Sequence, residues 1–236
     1  MKIQKSNSPS LNDCENNLLK LYEELHFNEN PICQKCRKEN PALTRPIGAW
    51  LVGNNFYRNK DRILFVGKNA RGEPGETYGD FQFTFGDSRD RLWHKKWPYW
   101  NYTRAIAEHL YGNDSIENIA FTNIVKCNDS YGKDTTSWQA KNYCIGELSV
   151  IRKEAAVIRP THIIFYTSWK YDDYIPKIFD TFTTVKSSKI LIGKKEMPWL
   201  EAYGSLNEQK IIFLPAALSS VSQYYISSSS ATKSWC

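Results

Sequence analysis

Four of the six cysteines are spaced as metal ligands often are. Cys33 and Cys36 form a C-x-x-C pair, and Cys127 and Cys144 follow much later in the chain. A C-x-x-C pair can give two thiolates to one metal, and four thiolates complete either a tetrahedral zinc site or an iron-sulfur cluster. The pattern predicts a four-cysteine metal centre and leaves both metals open. In the alternative interpretation, Cys127 and Cys144 are small buried hydrophobic residues.

The surrounding sequence favours metal chemistry over disulfide bonds. Residues 1–10 are polar, and no apolar run reaches the length that spans a membrane. We therefore expect a cytoplasmic protein without membrane contact. Thiols stay reduced in that compartment, so six cysteines are not expected to form a disulfide framework.

Composition indicates one ordinary globular domain. The chain has 236 residues, of which 41% are hydrophobic and 24% charged, and these fractions exclude wholesale disorder. We expect one domain over residues 1–218 and a flexible, serine-rich tail over residues 219–236. The net charge of +6 leaves room for a phosphate-binding face. The chain also carries 8 Trp, 14 Tyr and 11 Phe, and such rings can stack on unpaired bases.

Short apolar runs alternate with helix-like segments, which predicts an α/β fold with a parallel sheet. The predicted strands are Arg62 to Val66, Ile119 to Val125, His162 to Tyr166 and Ile211 to Leu214. The predicted helices are Leu11 to Phe27, Tyr99 to Leu110, Ser137 to Ile158 and Tyr171 to Phe182, and residues 28–59 are expected to form an irregular loop. Ligands of such folds bind in the loops that follow the strands.

Two segments carry a family resemblance. Phe121-Thr-Asn-Ile-Val-Lys-Cys127, followed by Cys144 and by Ile158-Arg-Pro-Thr-His-Ile-Ile164, resembles the iron-sulfur branch, family 4, of the uracil-DNA glycosylase superfamily. The resemblance covers roughly residues 33–168. It implies a three-layer α/β/α fold around a mainly parallel four-stranded sheet, in a monomer. The four cysteines would then hold a structural 4Fe-4S cluster, with zinc as the alternative, and the partner would be DNA, single-stranded or with a base flipped from the duplex.

The resemblance also implies a base-binding site. Asn123 corresponds to the asparagine that hydrogen-bonds the flipped base, although a strand-end asparagine can instead bond its own backbone. Gly67 opens the segment Gly67-Lys-Asn-Ala-Arg-Gly-Glu-Pro-Gly75, which most resembles the G-x-N-P-G version of the first motif in the mismatch-specific and single-strand-selective glycosylases. Asn69 then falls where those enzymes position the hydrolytic water. Glu73 or Asp80 could be a stronger base, although each also fits a solvated loop carboxylate. Phe83 is the candidate for the ring that stacks on the base, although a plain strand residue explains it equally well.

The last family motif, normally H-P-S, is altered to Leu214-Pro-Ala-Ala-Leu-Ser219. The family's histidine stabilises negative charge on the departing base, and Leu214 cannot donate a hydrogen bond there. Loss of one such donor lowers an enzyme's rate by roughly a hundred- to a thousandfold. Three interpretations remain: a glycosylase acting on a uracil or another modified base, a base-binding module without turnover, and a zinc-stabilised structural protein.

A basic and aromatic run, Arg89 to Trp100, mixes cations with rings in the way that contacts to a nucleic-acid strand require. A solvated start of a helix explains the same run equally well. His94 lies within it and is a distant candidate for the missing histidine, whereas His162 begins a predicted strand and is expected to be structural.

Overall fold

A computed structural model describes residues 10–69, 93–129, 136–167, 169–192, 195–207 and 209–215. Within these ranges the helices are α1 (Leu11–Leu25), α2 (Pro31–Glu39), α3 (Pro98–Tyr111), α4 (Trp138–Lys141) and α5 (Val150–Ile158). The strands are β1 (Leu43–Pro46), β2 (Leu51–Val52), β3 (Ile63–Gly67), β4 (Ile119–Asn123), β5 (Cys127–Asp129), β6 (His162–Phe165), β7 (Thr181–Ile192), β8 (Lys195–Leu206) and β9 (Gln209–Pro215).

The main sheet has the order β2-β4-β3-β6-β9-β8-β7. Its centre, β4-β3-β6-β9, is parallel throughout, so the predicted mainly parallel sheet of four strands is confirmed. The antiparallel strands β2, β8 and β7 extend it at the two edges and were not predicted. β1 and β5 form a separate antiparallel pair beside it.

Successive side chains along the central strands point to opposite faces of the sheet, so the core has two parts, as in a three-layer α/β/α fold. Leu64 and Val66 of β3 share one cluster of buried residues with α1 and α5. Phe65 belongs to a second cluster that includes Trp100 and Ala107 of α3. Helices therefore cover both faces of the sheet.

Helix α2 corrects the expectation of an irregular loop over residues 28–59. The side chain of Asn30 accepts a hydrogen bond from the backbone N–H of Ile32, 2.9 Å away, and caps the helix. Pro31 occupies the first turn, where a missing N–H breaks no helical hydrogen bond. The proline that suggested a loop is thus part of the signal that starts a helix.

The predicted helix Tyr171 to Phe182 is wrong. The segment forms the short 3-10 turns Trp169–Tyr171 and Ile175–Ile178, and β7 begins at Thr181. Pro176 has no backbone N–H to donate and restricts the residue before it, so a continuous helix is not formed. The predicted helix Ser137 to Ile158 is interrupted by a π-helical turn, Asn142–Glu147. No helix in the described ranges is long and apolar enough to cross a membrane.

Candidate functional site

The fold brings the four predicted cysteine ligands around one cavity. Cys33 and Cys36 are three residues apart on α2, a spacing that places them on one face of the helix. Cys127 begins β5, and Cys144 lies in the π-helical turn. The rest of the lining is mainly apolar and consists of Phe27, Arg37, Leu43, Val125, Lys126, Ala140, Tyr143 and Leu148. Four cysteines from segments far apart in sequence therefore line the same cavity.

The cysteine thiols of this cavity resist ionisation. Burial, followed by the charges of neighbouring thiolates, raises the pKa of Cys33 and of Cys36 to about 12. Burial also raises the pKa of Cys127 well above its usual value and that of Cys144 to about 11. The charge and backbone N–H of Lys126 act in the opposite direction on the Cys144 pKa. A metal cation would therefore have to displace protons from neutral thiols.

The four cysteines share one largely apolar cavity, and four thiolates are the donor set of a zinc site or of an iron-sulfur cluster. Among the described residues, no group of three or more His, Cys, Asp or Glu side chains is arranged so as to hold a metal ion. Iron-sulfur and zinc occupancy both remain predictions.

A buried ion pair lies beside the cysteine cavity. The Lys126 ammonium is 2.5 Å from Oε2 of Glu154, with 1% and 0% of the two side chains exposed. The ammonium also donates to Oγ1 of Thr122 at 2.8 Å and to the backbone carbonyl of Asn123. Its three N–H groups thus have three acceptors, which offsets part of the free energy lost by removing the charge from water.

Glu154 is satisfied on both carboxylate oxygens. Oε2 also accepts from the Thr122 hydroxyl at 2.8 Å, and Oε1 accepts from the Tyr22 hydroxyl at 2.6 Å. Tyr22 in turn accepts from the backbone N–H of Ala49 at 2.7 Å. This network joins α1, β4 and α5, and Lys126 connects it to Asn123 and to the adjacent predicted ligand Cys127.

The candidate base-binding residues meet at the carboxyl end of the parallel strands. Gly67 and Asn123 are partners in the register of β3 and β4. Oδ1 of Asn123 lies only 2.5 Å from where a Cβ on Gly67 would be, so a larger residue at position 67 would displace the amide. Asn123 is 7% exposed. Beyond the strand ends, the N–H groups of Ile124 and Val125 donate to the carbonyls of Gly67 and Lys68 at 2.8 and 2.9 Å.

Asn69 lies two residues beyond the end of β3, with its amide partly engaged. Oδ1 accepts a hydrogen bond from the Thr136 hydroxyl at 3.1 Å. Nδ2 is buried and has no hydrogen-bond partner among the described residues. The amide therefore has a donor available to a ligand at this edge.

No family model matches the chain. No curated protein matches it either.

Not every predicted site residue can be located in the described structure. Glu73 and Phe83 lie outside the described residues. Leu214 pairs with Ile164 in the register of β6 and β9, and Ile164 pairs with Phe65. Leu214 thus lies level with Phe65 across the sheet. Gly67 and Asn123 lie two residues further along their strands.

Two histidines were considered for the missing motif. His162 begins β6, at the opposite end of the strand from the base-binding edge, as the sequence predicts. Its Nδ1 lies 2.9 Å from the Thr161 hydroxyl. His94 is exposed just before α3.

The Lys126–Glu154 pair was missed by sequence reasoning, although both residues carried a signal. Lys126 interrupts an apolar run that ends a buried strand. Glu154 falls on the helical face that buries Val150, Ile151 and Ile158. Opposite charges on two surfaces that must be buried predict a pair, but only the packing of α5 against β4 shows that the two residues meet.

Proposed function

We propose that the carboxyl edge of the sheet binds a base displaced from a nucleic-acid strand, as in a uracil-DNA glycosylase. One observation supports this most strongly: the Asn123 amide lies over Gly67 at the ends of two adjacent parallel strands. A side-chain amide offers one acceptor oxygen and a donor nitrogen, which match the N3 and O4 edge of uracil. Glycine at position 67 leaves the space that this amide occupies.

The proposed reaction is hydrolysis of the N-glycosidic bond of a uracil or another modified base. Water adds to the anomeric carbon, while the base departs with the bonding electron pair and is then protonated. The sugar gains oxocarbenium character in the transition state, and a polar side chain must orient the water. Asn69 is positioned near the edge for such a role, and Glu73 is the candidate for the stronger base.

A second candidate function, base binding without turnover, is favoured by the hydrogen bonding of the Asn69 amide. A group that activates water must accept a hydrogen bond from it. Oδ1 of Asn69 already accepts from Thr136, and within the described ranges the atom left without a partner is the donor Nδ2. Leu214 also occupies the motif position of the family's histidine. Both features suit recognition of a base better than rapid excision.

The four cysteines would hold the metal centre of this protein, a 4Fe-4S cluster in the first instance and zinc in the second. Bound there, the metal would supply a structural cross-link through its thiolate bonds. Cys33 and Cys36 would tie α2 to the segment that leaves β4. That segment carries Asn123 and Cys127 four residues apart, so the cross-link would hold the base-binding edge in place.

Oligonucleotides with one uracil or one other modified base, single-stranded and in duplex, test the proposal. Excision of the base is measured by cleaving the strand at the abasic site that it leaves. The affinity for the modified strand is compared with that for the unmodified strand. We expect preferential binding of a modified strand, lost in Asn123→Ala and kept in Asn17→Ala, an exposed asparagine on α1.

Release of base that depends on Asn123 supports the glycosylase, and selective binding without release supports the second candidate. A protein that binds its metal but neither selects nor cleaves any modified strand would refute both and leave a structural metalloprotein.

A further inference from the structure

Three neighbouring residues before α3 form a cationic surface around an exposed indole ring. Trp97 is 41% exposed. The Lys95 ammonium lies 5.4 Å from the centroid of the Trp97 ring, and Lys96 is exposed next to it. We call Lys95, Lys96 and Trp97 the Trp97 platform.

Arg104 of α3 binds the backbone of the platform. The Arg104 guanidinium donates to the backbone carbonyls of Trp93 and Lys95, the latter at 3.0 Å, and lies 5.9 Å from the Trp93 ring centroid. Trp93 is itself buried in the α3 face of the core. A surface ordered before a ligand arrives loses less conformational entropy on binding.

A chain of aromatic contacts leads from the platform to the base-binding edge. The Trp97 and Tyr99 rings are 5.8 Å apart, and Tyr99 stacks on Phe121 at 6.0 Å with an interplanar angle of 28°. The Phe121 ring comes within 3.4 Å of where a Cβ on Gly67 would be. Bases of one strand are about 3.4 Å apart when stacked. The platform therefore lies within a few nucleotides of a base held at Asn123.

Charge distinguishes the platform from Trp138, a second exposed tryptophan among the described residues. Around Trp97 the described charged side chains are Lys95, Lys96 and Arg104, with Glu108 acting on Arg104. Trp138 is more exposed, at 65%. Near Trp138, Lys141 interacts with both Lys170 and Asp173, and Asp172 lies beside Asp173, so both signs of charge are mixed there.

We propose that the Trp97 platform binds single-stranded nucleic acid next to the recognised base. Trp97 stacks on a neighbouring unpaired base, and Lys95 and Lys96 contact the phosphates. Rings between cations suit a single strand because every base offers a face for stacking, whereas duplex bases already stack on each other. This inference rests on the proposed function for the class of partner and adds the form of the strand.

Fluorescence anisotropy with a labelled oligonucleotide of unmodified thymidines tests the platform by itself. Trp97→Ala should weaken binding roughly 5- to 150-fold, the loss that corresponds to one base–aromatic stack. The slope of log affinity against log salt concentration is negative, and each phosphate contact on a single strand contributes about 0.7 to its magnitude. Lys95→Ala with Lys96→Ala should therefore reduce the magnitude of the slope by about 1.4. A duplex of the same length should bind more weakly.

Matched controls are Trp138→Ala and the pair Lys20→Ala with Lys153→Ala, on helices that cover the other face of the sheet. They should retain the affinity and the salt slope. Equal losses in platform and control variants, no binding of the single strand, or an unchanged affinity in Trp97→Ala would overturn the inference. The last result would assign the platform to another partner, such as a protein.

The two proposals fail separately. Binding that depends on Trp97 but ignores the modified base and Asn123→Ala would support the platform and refute the proposed function. Selection of a modified base that needs Asn123 but not Trp97 would support the proposed function and refute the platform.

Discussion

The Lys126 ammonium and the Glu154 carboxylate form a fully buried ion pair 2.5 Å apart between the cysteine cavity and the base-binding edge. Lys126 lies one residue before Cys127 and donates to the carbonyl of Asn123. The pair therefore stabilises the short segment that carries both a predicted metal ligand and the predicted base-recognition residue.

Removing only one partner of this pair should be strongly destabilising. Lys126→Met leaves the Glu154 charge buried without its counter-ion, a change that lowers the free energy of unfolding by about 3–5 kcal/mol. Lys126→Met with Glu154→Gln removes both charges and keeps an amide, whose oxygen can accept from Tyr22 while its NH2 group donates to the Thr122 hydroxyl oxygen. Urea denaturation should show the double variant to be clearly more stable than the single one. Equal midpoints would mean that the charge pair does not account for the loss.

The metal-free protein should lose stability in alkaline solution. Burial raises the pKa of Cys33 and Cys36 to about 12 and that of Cys144 to about 11, above the usual value of 9.0. The folded state then holds these protons more tightly than the unfolded state does. The stabilisation is complete below about pH 9 and declines as the pH rises towards the folded-state values. Thermal midpoints between pH 7 and 10.5 should fall only above about pH 9.

Metal loading provides the control for that experiment. Thiolates bound to a metal have already lost their protons, so the alkaline decline should shrink in the loaded protein. Cys14, with a pKa raised by burial to about 11, lies outside the cavity and should keep its share of the decline. An identical pH profile with and without metal would contradict a site at the four cysteines.

Cys127→Ala should abolish stoichiometric metal binding, because it removes one of four thiolates. Iron and zinc content of anaerobically purified protein, together with the absorption spectrum, checks this. Broad absorbance near roughly 400 nm would indicate a thiolate-bound iron-sulfur cluster. Cys14→Ala is the matched control, since Cys14 is buried in α1, away from the cavity, and should keep full metal content. Equal metal loss in both variants would indicate general unfolding.

Gly67→Ala should impair recognition of the modified base more than it affects folding. Its Cβ would lie 2.5 Å from Oδ1 of Asn123, so the amide must move away from its position. Base-selective binding should drop at least tenfold, a difference of about 1.4 kcal/mol. Binding of the labelled unmodified strand should be retained.

Gly53→Ala gives the contrasting case, because its Cβ would lie 2.3 Å from the backbone of Glu117 and disturb the fold itself. It should lower the melting temperature more than Gly67→Ala does. A Gly67→Ala variant that recognises the base normally would remove Asn123 from the site.

Much of the central fold follows from local patterns. The strands β3, β4 and β6 are buried on both faces, and such strands show as short, nearly continuous apolar runs. The central strand β9 shows a similar run, Ile211 to Leu214. Helices α1 and α3 show as apolar residues at helical spacing. The hairpin β7–β8 escaped prediction because its strands extend an edge of the sheet and carry no continuous apolar run.

The sequence by itself determined which residues could bind a metal, since the C-x-x-C spacing is a local property that a single helix turn satisfies. It did not determine that α2 is a helix, that Cys127 and Cys144 join the same cavity, or that Lys126 meets Glu154. Those contacts join residues tens of positions apart. Only the packing of α1, α2 and α5 against the sheet brings them together, because burial, and not local propensity, selects the partners of distant side chains.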